Sequence, residues 1–474
     1  MLKAVPLNGK RVLVVGLART GVATALFCAA RGAVVTATDI RSASHLGDCV
    51  EKLRAAGVRL EFGEQTDRLL EGQELIVPSP GVPTDAPLLL RAHEMRITVW
   101  SEIELAGRFL RGRLIGITGS NGKTTTTSLI ENILRNAGFR TVLAGNIGTP
   151  LIAQVEKTTD DTIAVAELSS FQLELIESFR PIIAVLLNLT PDHLDRHKTL
   201  NAYGAAKARI FANQTRDDFA VLNADDAASA AYAPAHSRVL WFSRKRMVTP
   251  GAYVRDGKVV FAHHGEEEMI VAVSQVPLPG AHNLENVLAA VVATRLAGVR
   301  PAQIEAGIKS FTGVEHRIEF VAEINGVRYY NDSKATNVDA TSKALDSFPG
   351  RILIILGGKD KDGDYTQLRG ALREKAILAL LIGAAAEKIA RQIEGSVTIQ
   401  RSDTIEDAVA SAFHFAHTGD MVLLSPACAS FDQFQNYEHR GRVFKELVHQ
   451  LEKRAALRPT EFSTNPVNAG KRNA

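Results

Sequence analysis

One stretch, Leu114-Ile115-Gly116-Ile117-Thr118-Gly119-Ser120-Asn121-Gly122-Lys123-Thr124-Thr125, limits the possible folds more than any other. An apolar run of strand length passes into a glycine-rich turn, and residues 126–137 continue at helical spacing. Glycines at such a junction let backbone N–H groups curl toward an anion, and the helix N-terminus adds roughly half a positive charge. Lys123 then supplies an ammonium for the outer phosphates and Thr124 a hydroxyl suited to Mg²⁺. The usual frame would place its first glycine at Ile117, whereas here glycines stand at Gly116, Gly119 and Gly122. With strand, helix and Gly-Lys-Thr in register, the stretch reads as a nucleoside triphosphate site on a mostly parallel α/β sheet. Gly119, Ser120, Asn121, Gly122, Lys123, Thr124 and Thr125 are its candidate ATP contacts.

A chain of 474 residues is too long for one core and suggests about three domains. Lys and Arg number 55 against 52 Asp and Glu, with no basic run that would track a phosphate backbone, so nucleic acid is not an expected partner. Cys28, Cys49 and Cys428 are odd in number and widely spaced, which fits free thiols in a reducing compartment. The longest apolar runs, such as residues 182–187, fall far short of a membrane span. The expectation is a soluble, cytoplasmic, monomeric enzyme that acts on small molecules.

The first segment, residues 1–99, reads as a Rossmann-like β-α-β unit. A β-branched run ends in Gly16-Leu17-Ala18-Arg19-Thr20-Gly21, a helical stretch follows, and a second strand ends at Asp39. A glycine turn admits a pyrophosphate to the helix N-terminus, and an acid about twenty residues on can take ribose hydroxyls. Ala18 occupies the second glycine position of that signature, which leaves a packing turn and an NAD site both open. The run Leu75 to Val77 leads into the stiff loop Pro78-Ser79-Pro80-Gly81-Val82-Pro83.

Residues 100–312 alternate strands and helices around the phosphate loop. Polar clusters stand at Gly145-Asn146-Ile147-Gly148, Glu167-Leu168-Ser169-Ser170-Phe171-Gln172 and Asn188-Leu189-Thr190-Pro191-Asp192-His193-Leu194-Asp195. A predicted helix over 203–211 carries Lys207, and Asp256-Gly257 marks a hairpin. Ligands of open parallel sheets sit beyond the carboxyl ends of strands, so clusters there are candidate site residues. Asn283 and Asn286, three apart in a long apolar helix, share one face. Residues 313–455 read as a second Rossmann-like, doubly wound sheet containing an Asn325-Gly326 turn, and residues 456–474 as a disordered tail.

Taken together, Gly119-Ser120-Asn121-Gly122-Lys123-Thr124, Glu167-Leu168-Ser169-Ser170, Asp192-His193, Gly280-Ala281-His282-Asn283 and Asn331-Asp332-Ser333-Lys334-Ala335-Thr336-Asn337 resemble the Mur ligases of peptidoglycan synthesis. The likeness spans nearly the whole chain apart from the tail. It implies ATP-dependent amide formation through an acyl phosphate, and the last of these motifs, together with Leu424-Ser425-Pro426-Ala427-Cys428-Ala429-Ser430, implies that D-glutamate is added to UDP-N-acetylmuramoyl-L-alanine, with partners limited to these small molecules and ATP.

The resemblance also implies residue roles. Arg19 and Thr20 would face the sugar-nucleotide diphosphate, Asp39 and Arg41 the uridine, and Ser79 and Asn146 the same substrate. Thr124 and Glu167 would hold a first Mg²⁺, with His193 and a carbamylated Lys207 at a second. Lys123, Asn146, His193 and Lys207 form the implied catalytic group. Asn283, Asn286, Arg317 and Asp332 would contact ATP. Lys334, Thr336, Lys361, Ser430, Phe431 and Tyr437 would receive D-glutamate. A folylpolyglutamate synthetase would not need the first hundred residues. An NAD-dependent oxidoreductase and a P-loop regulator without chemistry are the rivals from other classes.

Overall fold

The computed structural model describes residues 5–360 and 362–456, and all structural statements concern these. Lys361, expected at the D-glutamate site, and residues 457–474 of the expected tail lie outside the described residues. The chain divides into two compact units, Met1–Phe311 and Thr312–Ala474.

The first unit opens with a parallel sheet of β1 (Arg11–Val15), β2 (Val34–Asp39), β3 (Arg59–Phe62), β4 (Leu75–Pro78) and β5 (Thr98–Val99), in the order β3-β2-β1-β4-β5. Strand order reverses between β1 and β4, so their carboxyl ends flank the crevice where ligands of such sheets bind. Gly16 and Ser79 stand at those two ends.

A larger sheet follows, of β6 (Arg113–Thr118), β7 (Thr141–Gly145), β8 (Ile163–Glu167), β9 (Ile183–Leu186), β10 (Phe219–Asn223), β11 (Arg238–Ser243), β12 (Gly251–Arg255), β13 (Lys258–His263) and β14 (Glu266–Ala272). The order is β14-β13-β12-β11-β10-β9-β6-β8-β7. Pairing is parallel from β7 to β12 and antiparallel through β13 and β14. Strand β8 is buried at every residue, which is why Ile-Ala-Val-Ala reads as an uninterrupted apolar run. Asp256-Gly257 forms the expected hairpin, with both residues at positive φ (50° and 69°). Strand β14 was not foreseen, because its Glu266-Glu267-Glu268 start reads as a solvated charge run. Those glutamates belong to an edge strand, where charge discourages pairing with another chain.

One apolar core cluster runs from Val12 and Val35 of the first sheet, through Trp100, Ile103 and Leu105, to Ala164 and Leu186 of the second. The joining helix, Glu102–Gly107, is buried along both faces. Its Glu104 accepts the N–H groups of Glu177, Ser178 and Phe179 at 2.9, 3.0 and 2.8 Å. Glu102 is different. One oxygen accepts Ile152 N–H at 2.6 Å, and the other has no partner among the described residues.

Burial pushes the Glu102 carboxyl up to about 7 from an ordinary 4.5. The folded protein therefore holds a proton there that the unfolded chain releases near pH 4.5. The associated stability is present below that pH and is lost as pH rises toward 7, by on the order of 3 kcal/mol. Thermal melts at pH 5 and pH 8 should show a smaller pH-dependent loss in Glu102→Gln than in the parent chain. Equal losses in both would sink this assignment.

The second unit holds β15 (Glu319–Ile324), β16 (Val327–Asn331), β17 (Ile352–Gly357), β18 (Ala376–Ile382), β19 (Thr398–Arg401) and β20 (Met421–Leu424), ordered β15-β16-β20-β17-β18-β19. Strand β15 runs antiparallel to β16 through Asn325-Gly326, and the remaining pairs are parallel. The closing helix, Tyr437–Ala456, continues past Glu452, after which the sequence shows no apolar periodicity. Its apolar face carries it on, with Leu447, Leu451 and Ala455 against the sheet core. No helix among the described residues is long and apolar enough to cross a membrane.

Candidate active site

Strand β6 delivers the chain into the glycine turn, and Gly122 caps the helix Lys123–Asn136 at φ 84°. A Cβ at Gly122 would stand 2.2 Å from Asn286 Oδ1, so only glycine lets the turn pass beneath that side chain. The turn is held in shape from the next strand end. Asn188 Oδ1 accepts Asn121 N–H at 2.9 Å, and Ser120 Oγ donates to Thr190 O at 2.9 Å. Lys123 Nζ donates to Gly119 O and Ser120 O, both at 2.8 Å, which curls the ammonium over the loop. Thr126 Oγ1 donates to Asn286 Oδ1 at 3.2 Å across 160 residues of sequence, and Asn286 Nδ2 donates to Asn283 Oδ1 at 3.1 Å. The two asparagines thus lie against the phosphate loop itself.

Glu167, at the end of β8, joins two expected site residues. One carboxylate oxygen accepts Thr124 Oγ1–H at 2.8 Å and the other accepts Asn146 Nδ2–H at 2.8 Å. A hydroxyl and a carboxylate side by side at a phosphate loop are a hard-oxygen pair, the donor set Mg²⁺ takes. His193 is half exposed, in the left-handed conformation, with its ring edge-on to Phe171 at 4.9 Å. Among the described residues no three His, Cys, Asp or Glu side chains converge to hold a metal.

Lys207 lies on the helix that follows. The helix over residues 203–211 starts earlier than expected, as Leu200–Ala208 capped by Thr199, and ends in the tighter turn Arg209–Phe211. Lys207 is only 1% exposed, and its Nζ lies 4.5 Å from the centre of the Tyr203 ring. Burial first, and then the Lys123 charge, lower its amine to about 6, while Asp192 and Glu167 pull the other way. The solvated cation that a lysine on a surface helix would be is not what the fold builds.

In the first sheet, Asp39 is already engaged. Its oxygens accept Leu17 N–H at 2.7 Å and the Arg41 N–H, Nε and Nη2 groups at 2.9 Å each. The Arg41 hydrogen bonds hold its carboxyl well below the usual range, near 2. Asp39 pins the Gly16 loop and aims Arg41, whose side chain is half exposed, so Arg41 offers the open edge there. That arrangement leaves little of Asp39 for the ribose of a dinucleotide. Ser79 is buried and donates to Gly16 O at 2.7 Å, shaping the turn. Arg19 Nη1 donates to Gly148 O at 2.9 Å, which ties the helix start bearing Thr20 to the Asn146 loop.

A second tie escaped the sequence. Arg196 donates to Pro80 O at 2.9 Å, Val82 O at 3.2 Å and Glu174 Oε2 at 2.6 Å, and lies over Phe171. Its guanidinium joins the stiff loop of the first sheet to the His193 segment. An arginine in the short charged helix Leu194–His197 carries no sequence signal for such a role.

In the second unit, Asp332 is buried, which raises its carboxyl to about 7 despite Ser425 Oγ–H at 2.8 Å and the nearby Arg317 charge. Lys334 Nζ sits 5.9 Å from the centre of the Tyr437 ring, so these two expected D-glutamate contacts do meet. Ser430 is buried, Thr336 half-buried and Phe431 63% exposed.

Three family models match in succession: the Mur ligase MurD-like N-terminal domain over residues 10–101, the Mur ligase middle domain over 117–294, and the Mur ligase glutamate ligase domain over 316–428. The chain is 53% identical over 445 residues to the UDP-N-acetylmuramoylalanine--D-glutamate ligase of Acidobacterium capsulatum, covering 93% of this chain and 96% of that one. It is 52% identical over 445 residues to the protein of that name from Koribacter versatilis, covering 94% and 98%. Among solved structures it is similar in fold to the MurF ligase of Thermotoga maritima in complex with ADP, with TM-score 0.59 and 17% identity over 88% of this chain and 95% of that one. A pseudomurein peptide ligase type C from Methanothermus fervidus gives 0.57 and 19% over 93% and 100%. The chain belongs to the Mur ligase family, among its UDP-N-acetylmuramoylalanine--D-glutamate ligases.

Proposed function

We propose that this ATP-dependent ligase joins the amine of D-glutamate to the L-alanyl carboxylate of UDP-N-acetylmuramoyl-L-alanine, as a monomer in the cytoplasm. The observation that carries the reading is the connected run of Lys123, Thr124, Glu167 and Asn146 at the end of one parallel sheet. A carboxylate is a poor electrophile, so its oxygen first attacks the γ-phosphorus of ATP and ADP leaves. The amine then attacks the acyl phosphate carbon, the C–O bond breaks with its electron pair leaving on phosphate, and the nitrogen gives up a proton as the amide forms.

Several anions must meet for this, and two unit charges 4 Å apart repel by about 4 kcal/mol at an effective dielectric of 20. Lys123 and the loop N–H groups offset that charge, and Asn146 orients the acceptor beside Glu167. Thr124 and Glu167 would hold Mg²⁺, which when bound screens the phosphate oxygens. His193 and Lys207, once carbamylated, would hold a second ion. Asn283 and Asn286 serve the nucleotide beside the loop, and Arg317 and Asp332 are further nucleotide contacts. Arg19, Thr20 and Arg41 hold the uridine diphosphate end, with Asp39 and Ser79 behind them. Lys334, Thr336, Lys361, Ser430, Phe431 and Tyr437 receive D-glutamate; cations beside hydroxyls suit a dicarboxylate.

Incubation with ATP, Mg²⁺, UDP-N-acetylmuramoyl-L-alanine and a panel of amino acids, read as phosphate release, tests this. Release is expected with D-glutamate. Release with another amino acid instead, or with none, would overturn the substrate assignment.

A further inference from the structure

The second unit contains a fully enclosed cation. Arg440 is 0% exposed and heads the fully buried side chains by volume. Burial lowers its guanidinium to about 10, so it stays charged at neutral pH. A buried charge is costly unless geometry satisfies it. Here Nε donates to Ser333 Oγ at 3.0 Å, and Nη2 donates to Ser333 O at 2.8 Å and Cys428 O at 3.2 Å. Nη1 donates to Cys428 O at 3.2 Å and Ala429 O at 3.4 Å. Every donor thus points at a segment that carries an expected amino-acid contact. Ser333 precedes Lys334, Ala429 precedes Ser430, and Arg440 itself stands one turn after Tyr437.

Two further links tighten the arrangement. Ser333 Oγ donates to Tyr437 O at 2.8 Å, so one hydroxyl bridges the guanidinium and the helix start. Lys359 N–H donates to Ala429 O at 2.8 Å, and Ala429 N–H returns to Lys359 O at 3.1 Å. A Cβ at Gly358 would stand 2.3 Å from Ala429 O and 3.2 Å from Arg440 Nη1, so glycine there lets the strand end close over the cation.

We propose that Arg440 is a positioning residue for the amino-acid site, its guanidinium clamping the backbones at Ser333, Cys428 and Ala429 so that Lys334, Ser430 and Tyr437 present a fixed set of groups to a dicarboxylate. This rests on the D-glutamate reading above. The planar fork reaches two loops at once with donors in fixed directions, where a lysine ammonium offers a single compact charge. The nucleotide contact next door, though it feels the Arg440 charge, has hydrogen bonds of its own: Asp332 accepts Ser425 Oγ–H at 2.8 Å and Ile318 N–H at 3.2 Å, and its own N–H donates to Leu424 O at 2.8 Å. Loosening the clamp therefore affects the amino acid before the nucleotide.

The test compares full-length wild type, Arg440→Lys and Ser333→Ala by phosphate release, fitting KM separately for D-glutamate, ATP and the sugar nucleotide. Arg440→Lys is expected to raise the D-glutamate KM about tenfold or more, and Ser333→Ala severalfold, with the other two constants within about twofold. An unchanged D-glutamate KM in folded Arg440→Lys overturns the proposal, as do equal rises in all three constants. If Arg440→Lys is insoluble, Ser333→Ala decides by the same criteria. Absence of D-glutamate-dependent release by wild type is a different failure, that of the substrate reading itself.

Discussion

Replacing Lys123 with alanine is expected to lower turnover by on the order of a hundred- to a thousandfold while leaving the chain folded. The ammonium donates to two loop carbonyls, at Gly119 and Ser120, in a partly buried position. Each such bond contributes only about 1 kcal/mol net to folding, because water replaces it, and alanine is the better helix former at the first helical residue. What is lost is a cation that can leave those carbonyls for phosphate oxygens as charge develops on them. Circular dichroism should match the parent while phosphate release collapses. Parent-like turnover in the folded variant would refute the role.

The second large effect is expected at Lys207. Its neutral amine can add to CO₂, forming an N–C bond and releasing a proton to give a carbamate, a carboxylate where a cation stood. The fold disfavours the ammonium at that position. The side chain is buried beside Tyr203, and an ammonium there would face the Lys123 charge as well as any bound metal. Lys207→Ala should lose activity by on the order of a hundredfold, and short carboxylic acids such as formate should restore part of it by returning the missing oxygens. Intact mass of protein kept near neutral pH with bicarbonate should show the added CO₂. An unmodified mass, together with full activity of Lys207→Ala, would end the idea.

The parts of the fold legible from sequence were those in which local chemistry and the final structure agree. Asp256-Gly257 and Asn325-Gly326 declared their hairpins because those turns need positive φ at both positions. Gly122 and Lys123 declared the phosphate loop for the same kind of reason. Strand β14 stayed hidden because an edge strand tolerates three glutamates in a row, and the last turn of the helix Tyr437–Ala456 because tertiary packing outweighed a polar local sequence. In the site, Thr124, Glu167 and Asn146 could be named, but not that one carboxylate links them. Asp39 looked like a ribose ligand, and its spacing gave no warning that Arg41 and Leu17 would occupy it. Arg196 and Arg440 act through backbone carbonyls of distant segments. Carbonyls are the same in every residue, so such pairings leave no pattern to read.

The helix that follows the phosphate loop begins Lys123-Thr124-Thr125-Thr126-Thr127, four threonines in a row, all of them buried. β-branched residues are poor helix formers, and a first turn made of them does not hold by itself. Here it is held from outside, by Glu167 on Thr124 and by Asn286 on Thr126. Asn286 is synthesised 160 residues after Thr126, so while the chain is still emerging from the ribosome the cradle lacks its far wall until the Ala281–Leu296 helix is complete. The first turn of the phosphate-loop helix thus reaches its outer support only after most of the unit has been made.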